Sequence, residues 1–356
     1  MTNYILQIQK ALPLRTAALV SSPVSRRCLT GFESSDGLIF LAQGRAVFLT
    51  DSRYIEAARA AVSACPVEEL RDAAKQLRAL CKECRAKRLF VETEHTTLAE
   101  VLRLRKQLPG VWLEIRDSRV DKHLRAIRMH KTPEEADCVR RAQGIAETAF
   151  DYILGIIKPG MTEREIALEL DYAMLRGGAE ALSFETIAVA GENGSKPHGV
   201  PGDRLLCKGD LLTLDFGAVV DGCHSDMTRT IAIGEPGEEQ RKIYGIVLEA
   251  QLTALDMLAP GVACSEIDKR ARDVIENAGY GEHFRHGTGH GVGLEIHEAP
   301  NLSRRSKDVL APGMVVTVEP GIYLPGKCGV RIEDMALIIE TGYENLTHAN
   351  KDLIII

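Results

Sequence analysis

The chain has 356 residues, too long for one ordinary domain and long enough for two sizeable cores. Its 45% apolar content is that of a globular protein, and a net charge of −6 gives no electrostatic ground for binding nucleic acid. No run of about 18 apolar residues occurs and no secretory cleavage pattern follows the N-terminus, so neither a membrane span nor export is expected; nine cysteines, an odd number, suit a reducing cytoplasm.

Residues 1–128 alternate short apolar runs (LIFLA, AVFLT, RLFVE, VWLEI) with helix-like stretches such as YIEAARAAV, DAAKQLRALCKEC and TLAEVLRLRKQL. Strands alternating with helices at this spacing predict an α/β layer domain. No catalytic constellation occurs in it. Cys81 and Cys84 form a CxxC, but no second pair accompanies them, so they read as incidental thiols rather than a zinc ribbon. The segment Ile127 to Lys131 is the predicted connector to a second domain, residues 129–356.

That domain opens on Thr132-Pro133-Glu134-Glu135, where Thr132 is the predicted N-cap, Pro133 the first helical residue and Glu135 the closing member of a capping box. The domain then repeats itself. PGMTEREIALELDYAMLRGG from Pro159 resembles PGVACSEIDKRARDVIENAG from Pro260, 101 residues on; each has Pro-Gly, a Thr or Ser cap, Glu-Ile and a closing glycine. LLTLDFG, with Asp215, matches VVTVEPG, with Glu319, 104 residues on, and Asp226 in SDMTRT matches Glu333 in RIEDMA, 107 residues on. Each half thus supplies helices, then a strand ending in a carboxylate, then a second strand bearing another. The pattern predicts one duplicated α+β domain, with an internal pseudo-twofold, built on a curved antiparallel sheet.

Asp221-Gly222 is a turn signal. An unbulged two-residue hairpin there sets Asp215 opposite Thr228 and brings Asp226 to the same face. Asp215, Asp226, Glu319, Glu333 and His290 (in HGTGHGVGLEIHE) each lie in or beside an apolar, strand-like run. Unpaired carboxylates are costly to bury there, and four would repel one another unless cations held them. One imidazole among four carboxylates suits divalent ions such as manganese, and two ions fit that charge better than one, which points to hydrolysis. Arg331, two residues before Glu333, is a candidate clamp on a ligating carboxylate. The glycines around His290 are expected to let backbone pass close to a metal; they match neither phosphate-loop pattern, and DFG at Asp215 has no accompanying kinase motif.

The series PHG, TLDFG, SDMTRT, HGTGHGVGLEIHE, VEPGIY and GVRIED, spanning Phe184 to Asp334, resembles the creatinase/aminopeptidase ("pita-bread") fold of peptidase family M24, and within it the Xaa-Pro peptidases. LTDSRY, Leu49 to Tyr54, resembles part of the family's N-terminal domain. The resemblance implies that Asp215, Asp226, His290, Glu319 and Glu333 hold two divalent ions (manganese, with cobalt or zinc as alternatives) that activate water, with Glu319 also accepting its proton. It implies that His198 and His297 bind substrate and steady the oxyanion, that Phe184 and Tyr323 help form the substrate pocket, and that the protein is a homodimer. Lys196, where many relatives have a small or apolar residue, is expected to alter which substrates fit. Cys328, five residues before Glu333 where a small residue is usual, is expected to be a point of oxidation.

The activity so implied is release of an N-terminal residue from a peptide with proline second, an Xaa-Pro aminopeptidase. An Xaa-Pro dipeptidase is the alternative. Methionine aminopeptidases share the five ligands but typically lack so large an N-terminal domain. A catalytically dead binding protein on the same fold would have lost ligands, and all five stand here.

Overall fold

The computed structural model describes residues 4–356, and the chain divides into two compact units between Arg128 and Met129. The first unit runs α1 (Tyr4–Ala11), β1 (Thr16–Val20), α2 (Pro23–Thr30), β2 (Leu38–Ala42), β3 (Arg45–Thr50), α3 (Ile55–Ala61), β4 (Val67–Glu69), α4 (Ala73–Glu83), β5 (Arg88–Val91), α5 (Leu98–Gln107), β6 (Trp112–Glu114) and α6 (Arg119–Met129). Its six strands form one mixed sheet in the order β4-β3-β2-β1-β5-β6. The apolar runs noted above supply β2, β3, β5 and β6. The central strand β1 pairs antiparallel with β2 and parallel with β5, and its TAALV is too short and bland to stand out from its surroundings. Residues Ile127 to Met129, expected in a connector, form the last turn of α6. Val120, Leu124 and Ile127, at helical spacing, are buried and hold that turn.

The second unit begins with α7 (Pro133–Leu154), whose capping box of Thr132 and Glu135 is formed as the sequence predicts. It continues through α8 (Glu163–Arg176), β7 (Ala181–Leu182), β8 (Ile187–Ala190), β9 (Asp210–Phe216), β10 (Ala218–Val220), β11 (Cys223–His224), β12 (Met227–Ile233), α9 (Glu238–Leu255) and α10 (Cys264–Asn277). The chain then forms β13 (Gly289–Gly291), β14 (Glu298–Leu302), β15 (Val315–Val318), β16 (Gly321–Leu324), β17 (Cys328–Arg331), β18 (Asp334–Ile339) and β19 (Gly342–Asn345).

The repeat is structural. Thr162 caps α8 and makes an isolated antiparallel bridge to Leu205, while the equivalent Ala263 precedes α10 and bridges Val309 in the same way. Alanine has no side-chain oxygen to cap with, so the expected serine cap of the second copy does not form and Ser265 lies inside the helix. One apolar core packs α7 and α8 on β8, β9 and β12; another packs α9 and α10 on β15 to β18. No helix among the described residues is long and apolar enough to cross a membrane.

Arg229 is one of the residues that join the halves. Its side chain is 1% exposed, and all five N–H groups are engaged. Nη2 pairs with Asp334 Oδ1 at 2.8 Å and donates to Ala349 O at 2.7 Å; Nη1 donates to Thr228 O at 3.0 Å and Glu333 O at 2.5 Å; Nε donates to Asn350 O at 3.0 Å. Removing one member of such a buried pair leaves an uncompensated charge and costs about 3–5 kcal/mol. Arg229→Met is therefore expected to lower unfolding stability by about that amount, read as a shift in denaturant midpoint. A midpoint unchanged from wild type would show that the pair does not stabilise the junction.

Candidate active site

Each half contributes a kinked hairpin. In the first, Asp221 (φ 46°) and Gly222 (φ 71°) form the expected two-residue turn, both residues in the left-handed region. Paired residue numbers add to 443 in β10–β11 and again in β9–β12, so Asp215 faces Thr228 as the sequence predicts. Between the two ladders the chain kinks at Gly217, where an added Cβ would lie 1.9 Å from Ser225 O; only glycine fits there. Asp215 and Asp226 flank this kink. In the second hairpin, paired numbers add to 652 in β15–β18 and in β16–β17, and Glu319 and Glu333 occupy the interruption between them.

All four carboxylates and His290 line one cavity of about 830 Å³. His290 Nδ1 donates to Gly291 O at 3.1 Å, which leaves the Nε2 lone pair 3.5 Å from Asp226 Oδ2 and 3.4 Å from Glu319 Oε1. Asp226, His290 and Glu333 each offer an atom within 4.8 Å of the others. The nearby glycines have a different role from the one expected. A Cβ on Gly289 would lie 1.9 Å from Thr317 O, and one on Gly291 would lie 2.3 Å from Ala299 O. They admit neighbouring backbone, and so let the His290 strand pack tightly, rather than making room for a metal.

The protein holds one oxygen of two of these carboxylates and leaves the other bare. Arg331 pairs with Asp215 Oδ2, and Asp215 Oδ1 is buried with no hydrogen-bond partner. Thr228 Oγ1 donates to Glu333 Oε2 at 2.6 Å, and Glu333 Oε1 is likewise buried without a partner. Arg331 Nε in turn donates to Thr228 Oγ1 at 3.1 Å. Burial, followed by repulsion from Glu333 and Asp215, pushes the Asp226 carboxyl well above the usual range; burial and repulsion from Glu319 and Asp215 do the same to Glu333. Glu319 is raised chiefly by burial, against the pull of Arg331. Buried anionic oxygens without partners are rare and costly, and hard oxygen donors with one imidazole suit a divalent cation. The donor set fits a metal.

His198 and His297 also line the cavity; both residues are exposed at its wall, and the His297 ring lies edge-on to His290 with centroids 4.4 Å apart. Phe184 and Arg331 line it too. Tyr323 stands behind Arg331 instead: it is buried, accepts from Arg331 Nη1 at 2.8 Å, and its hydroxyl lies 3.0 Å from His286 Nε2. His286 Nδ1 donates to Gly287 O, so Nε2 accepts the tyrosine proton, and burial holds this imidazole down to about 4. Lys196 does not reach the wall, which passes through Pro197 and His198; its ammonium is exposed and donates to Asn193 Oδ1 at 3.1 Å.

Two features near the site went unread in the sequence. Thr228 had a signal, its place opposite Asp215. The ion pair of Lys131 Nζ with Glu298 Oε1 (2.5 Å, side chains 3% and 4% exposed) had none, since its members lie 167 residues apart and Glu298 merely follows His297.

Residues 137–340 match the model for metallopeptidase family M24, and residues 15–130 that for the creatinase/prolidase N-terminal domain. The chain belongs to metallopeptidase family M24. A Bacillus subtilis peptidase, YqhT, is 41% identical over 95% of each chain. Among solved structures, an Xaa-Pro dipeptidase from Bacillus anthracis superposes with a TM-score of 0.94 at 38% identity over 99% of each chain. An X-Pro aminopeptidase from Thermotoga maritima superposes at 0.89 with 34% identity, covering 98% of this chain and 100% of that one. The fold is the pita-bread domain preceded by a creatinase-like α/β domain, the protein is a peptidase, and its M24 relatives use divalent metals.

Cys328, expected to be a point of oxidation, is buried. It is 3% exposed, and burial pushes its thiol up to about 11, where little reactive thiolate forms. A disulfide reagent added to the native enzyme is expected to label exposed Cys207 and spare Cys328 until denaturant is present. Prompt labelling of Cys328, located by peptide mass mapping, would contradict this.

Proposed function

We propose that this chain is a two-metal Xaa-Pro aminopeptidase. The observation that carries the reading is the pair of bare, buried oxygens, Asp215 Oδ1 and Glu333 Oε1, in a cluster of four acids and one imidazole. Asp215, Asp226, His290, Glu319 and Glu333 would hold the ions, manganese by preference and cobalt or zinc as alternatives. When bound, divalent ions supply Lewis acidity and make water acidic enough to ionise near neutral pH.

The chain's own residues do the rest. Arg331 and Thr228 each fix one oxygen of Asp215 and Glu333, so these carboxylates present the other oxygen in a set direction. Glu319, on the cavity wall among the other acids, accepts the proton of the attacking water. His198 and His297 donate to the developing oxyanion and pass a proton to the leaving nitrogen. Proline suits this site: its nitrogen carries no N–H, so no acceptor is needed beside the scissile bond, and Phe184 offers an apolar wall for the ring. An odd number of cysteines, nine, suits a reducing, cytoplasmic setting.

Xaa-Pro dipeptidase is the second reading, favoured by the likeness to the Bacillus anthracis dipeptidase. Hydrolysis of Ala-Pro and Ala-Pro-Ala, with and without Mn²⁺, separates the two. Metal-dependent cleavage of the tripeptide is expected, and Glu333→Ala should abolish it together with one bound ion; cleavage of the dipeptide alone would establish the dipeptidase. Neither peptide being cut while two ions still bind would sink the proline specificity. His297→Ala is expected to lower kcat by about 10²–10³, the usual worth of an oxyanion donor, with metal content unchanged. A kcat near wild type would remove His297 from that role.

A further inference from the structure

A second cavity of about 770 Å³ adjoins the active-site cavity, and the two share His286, Gly287 and Ser303. At the shared rim Thr288 N donates to Leu302 O at 2.8 Å, and a Cβ on Gly287 would lie 3.0 Å from that same carbonyl, so glycine lets the two segments pack closely where the cavities meet.

In the second cavity the wall changes sign. Arg272, Arg285, Arg304 and Arg305 line the second cavity, with Glu276 and Glu282 as its acids. Arg272 is committed to Asp268, Phe284 O and His286 O, and Arg304 to Glu276 at 2.7 Å. Arg285 donates only Nε, to Glu282 O, and Arg305 makes no hydrogen bond or ion pair among the described residues. Two guanidiniums with free donors therefore stand in a cavity on a chain whose net charge is −6. A trough with an acid cluster at one end and free arginines at the other matches the charges of a peptide: ammonium toward the acids, carboxylate toward the arginines.

We infer that Arg285 and Arg305 bind a carboxylate borne downstream of the scissile Xaa-Pro bond, so that the preferred substrates are peptides longer than a dipeptide with an anionic far end. The carboxylate comes from the C-terminus or from an acidic side chain. This rests on the Xaa-Pro reading above and specifies its substrate class.

The test uses the Mn²⁺-loaded enzyme with Ala-Pro-Ala-Ala as free acid, the same peptide as C-terminal amide, and Ala-Pro-Ala-Glu amide. The free acid is expected to have a KM roughly three- to fivefold lower than the amide, the range of a partly exposed charge pair, and the gap should narrow with added salt. In Arg285→Gln/Arg305→Gln the gap closes while kcat on the amide stays at the wild-type value. Recovery of the low KM by the glutamyl amide assigns the site to any nearby carboxylate; no recovery assigns it to the terminal one, and either supports the inference. Equal KM for acid and amide in the wild type, or a gap that persists in the double variant, overturns it while leaving Xaa-Pro hydrolysis intact. If none of the three peptides is cut, the Xaa-Pro reading fails and this one with it.

Discussion

Four carboxylates share one largely buried cavity, and that concentration of negative charge is the constraint from which the rest of the site follows. Arg331 is the guanidinium set among them, and it is engaged with Asp215. One cation cannot balance four anions in a medium of low polarity, so without further cations protons must, which is why burial and mutual repulsion raise the carboxyls of Asp226, Glu319 and Glu333 together. A hydrophobic core would tolerate no such arrangement unless something else repaid it. The two oxygens left bare show where the debt lies: the protein satisfies one side of Asp215 and of Glu333 and stops.

Holding the acids in place is the task of three consecutive residues on one strand. Thr228 bonds Glu333 and accepts from Arg331, Arg229 pairs with Asp334 and takes the carbonyl of Glu333, and Thr230 donates to Arg331 O and accepts from Arg331 N. The motif SDMTRT therefore carries an acid of the first half and also the stitching that presents an acid of the second. Side chains at 228 and 230 face one way and that at 229 the other, so one strand serves both the cavity and the core behind it. Site geometry here is inseparable from the docking of the halves.

Features set by local chemistry were legible in the sequence. The Asp221-Gly222 turn dictated a register, and the register placed Asp215 against Thr228. Thr132 and Thr162 announced helix starts because a cap needs only its own first turn. Where context decides, the residues were silent or misleading. Ala263 stands where Thr162 stands in the first copy, so the second helix starts at the same repeat position without the chemical marker. Gly289 and Gly291 look like ligand-loop glycines, but what they avoid is a carbonyl on the neighbouring strand, which only the folded sheet reveals. Ile127 belonged to a helix because of what Val120 and Leu124 bury, and Lys131 met Glu298 across 167 residues with no local trace of the pairing.

A duplicated domain tends to build a symmetric site, yet a peptide has a direction, so the symmetry must be broken. Ala190 pairs with Leu212 in the first half and Gly291 with Val316 in the second, which makes His290 the counterpart of Val189, a core residue 1% exposed. The acids keep the pseudo-twofold, one at each strand end, while the imidazole on the second copy has an apolar partner on the first. The register is broken as well: Asp215 faces a threonine across its hairpin, whereas Glu319 and Glu333 meet at the kink of theirs. The segments that follow the equivalent strands each carry a histidine, His198 and His297, and both reach the same cavity from opposite halves. Duplication thus accounts for the concentrated charge, and divergence at these few positions turns a symmetric cluster into an asymmetric one.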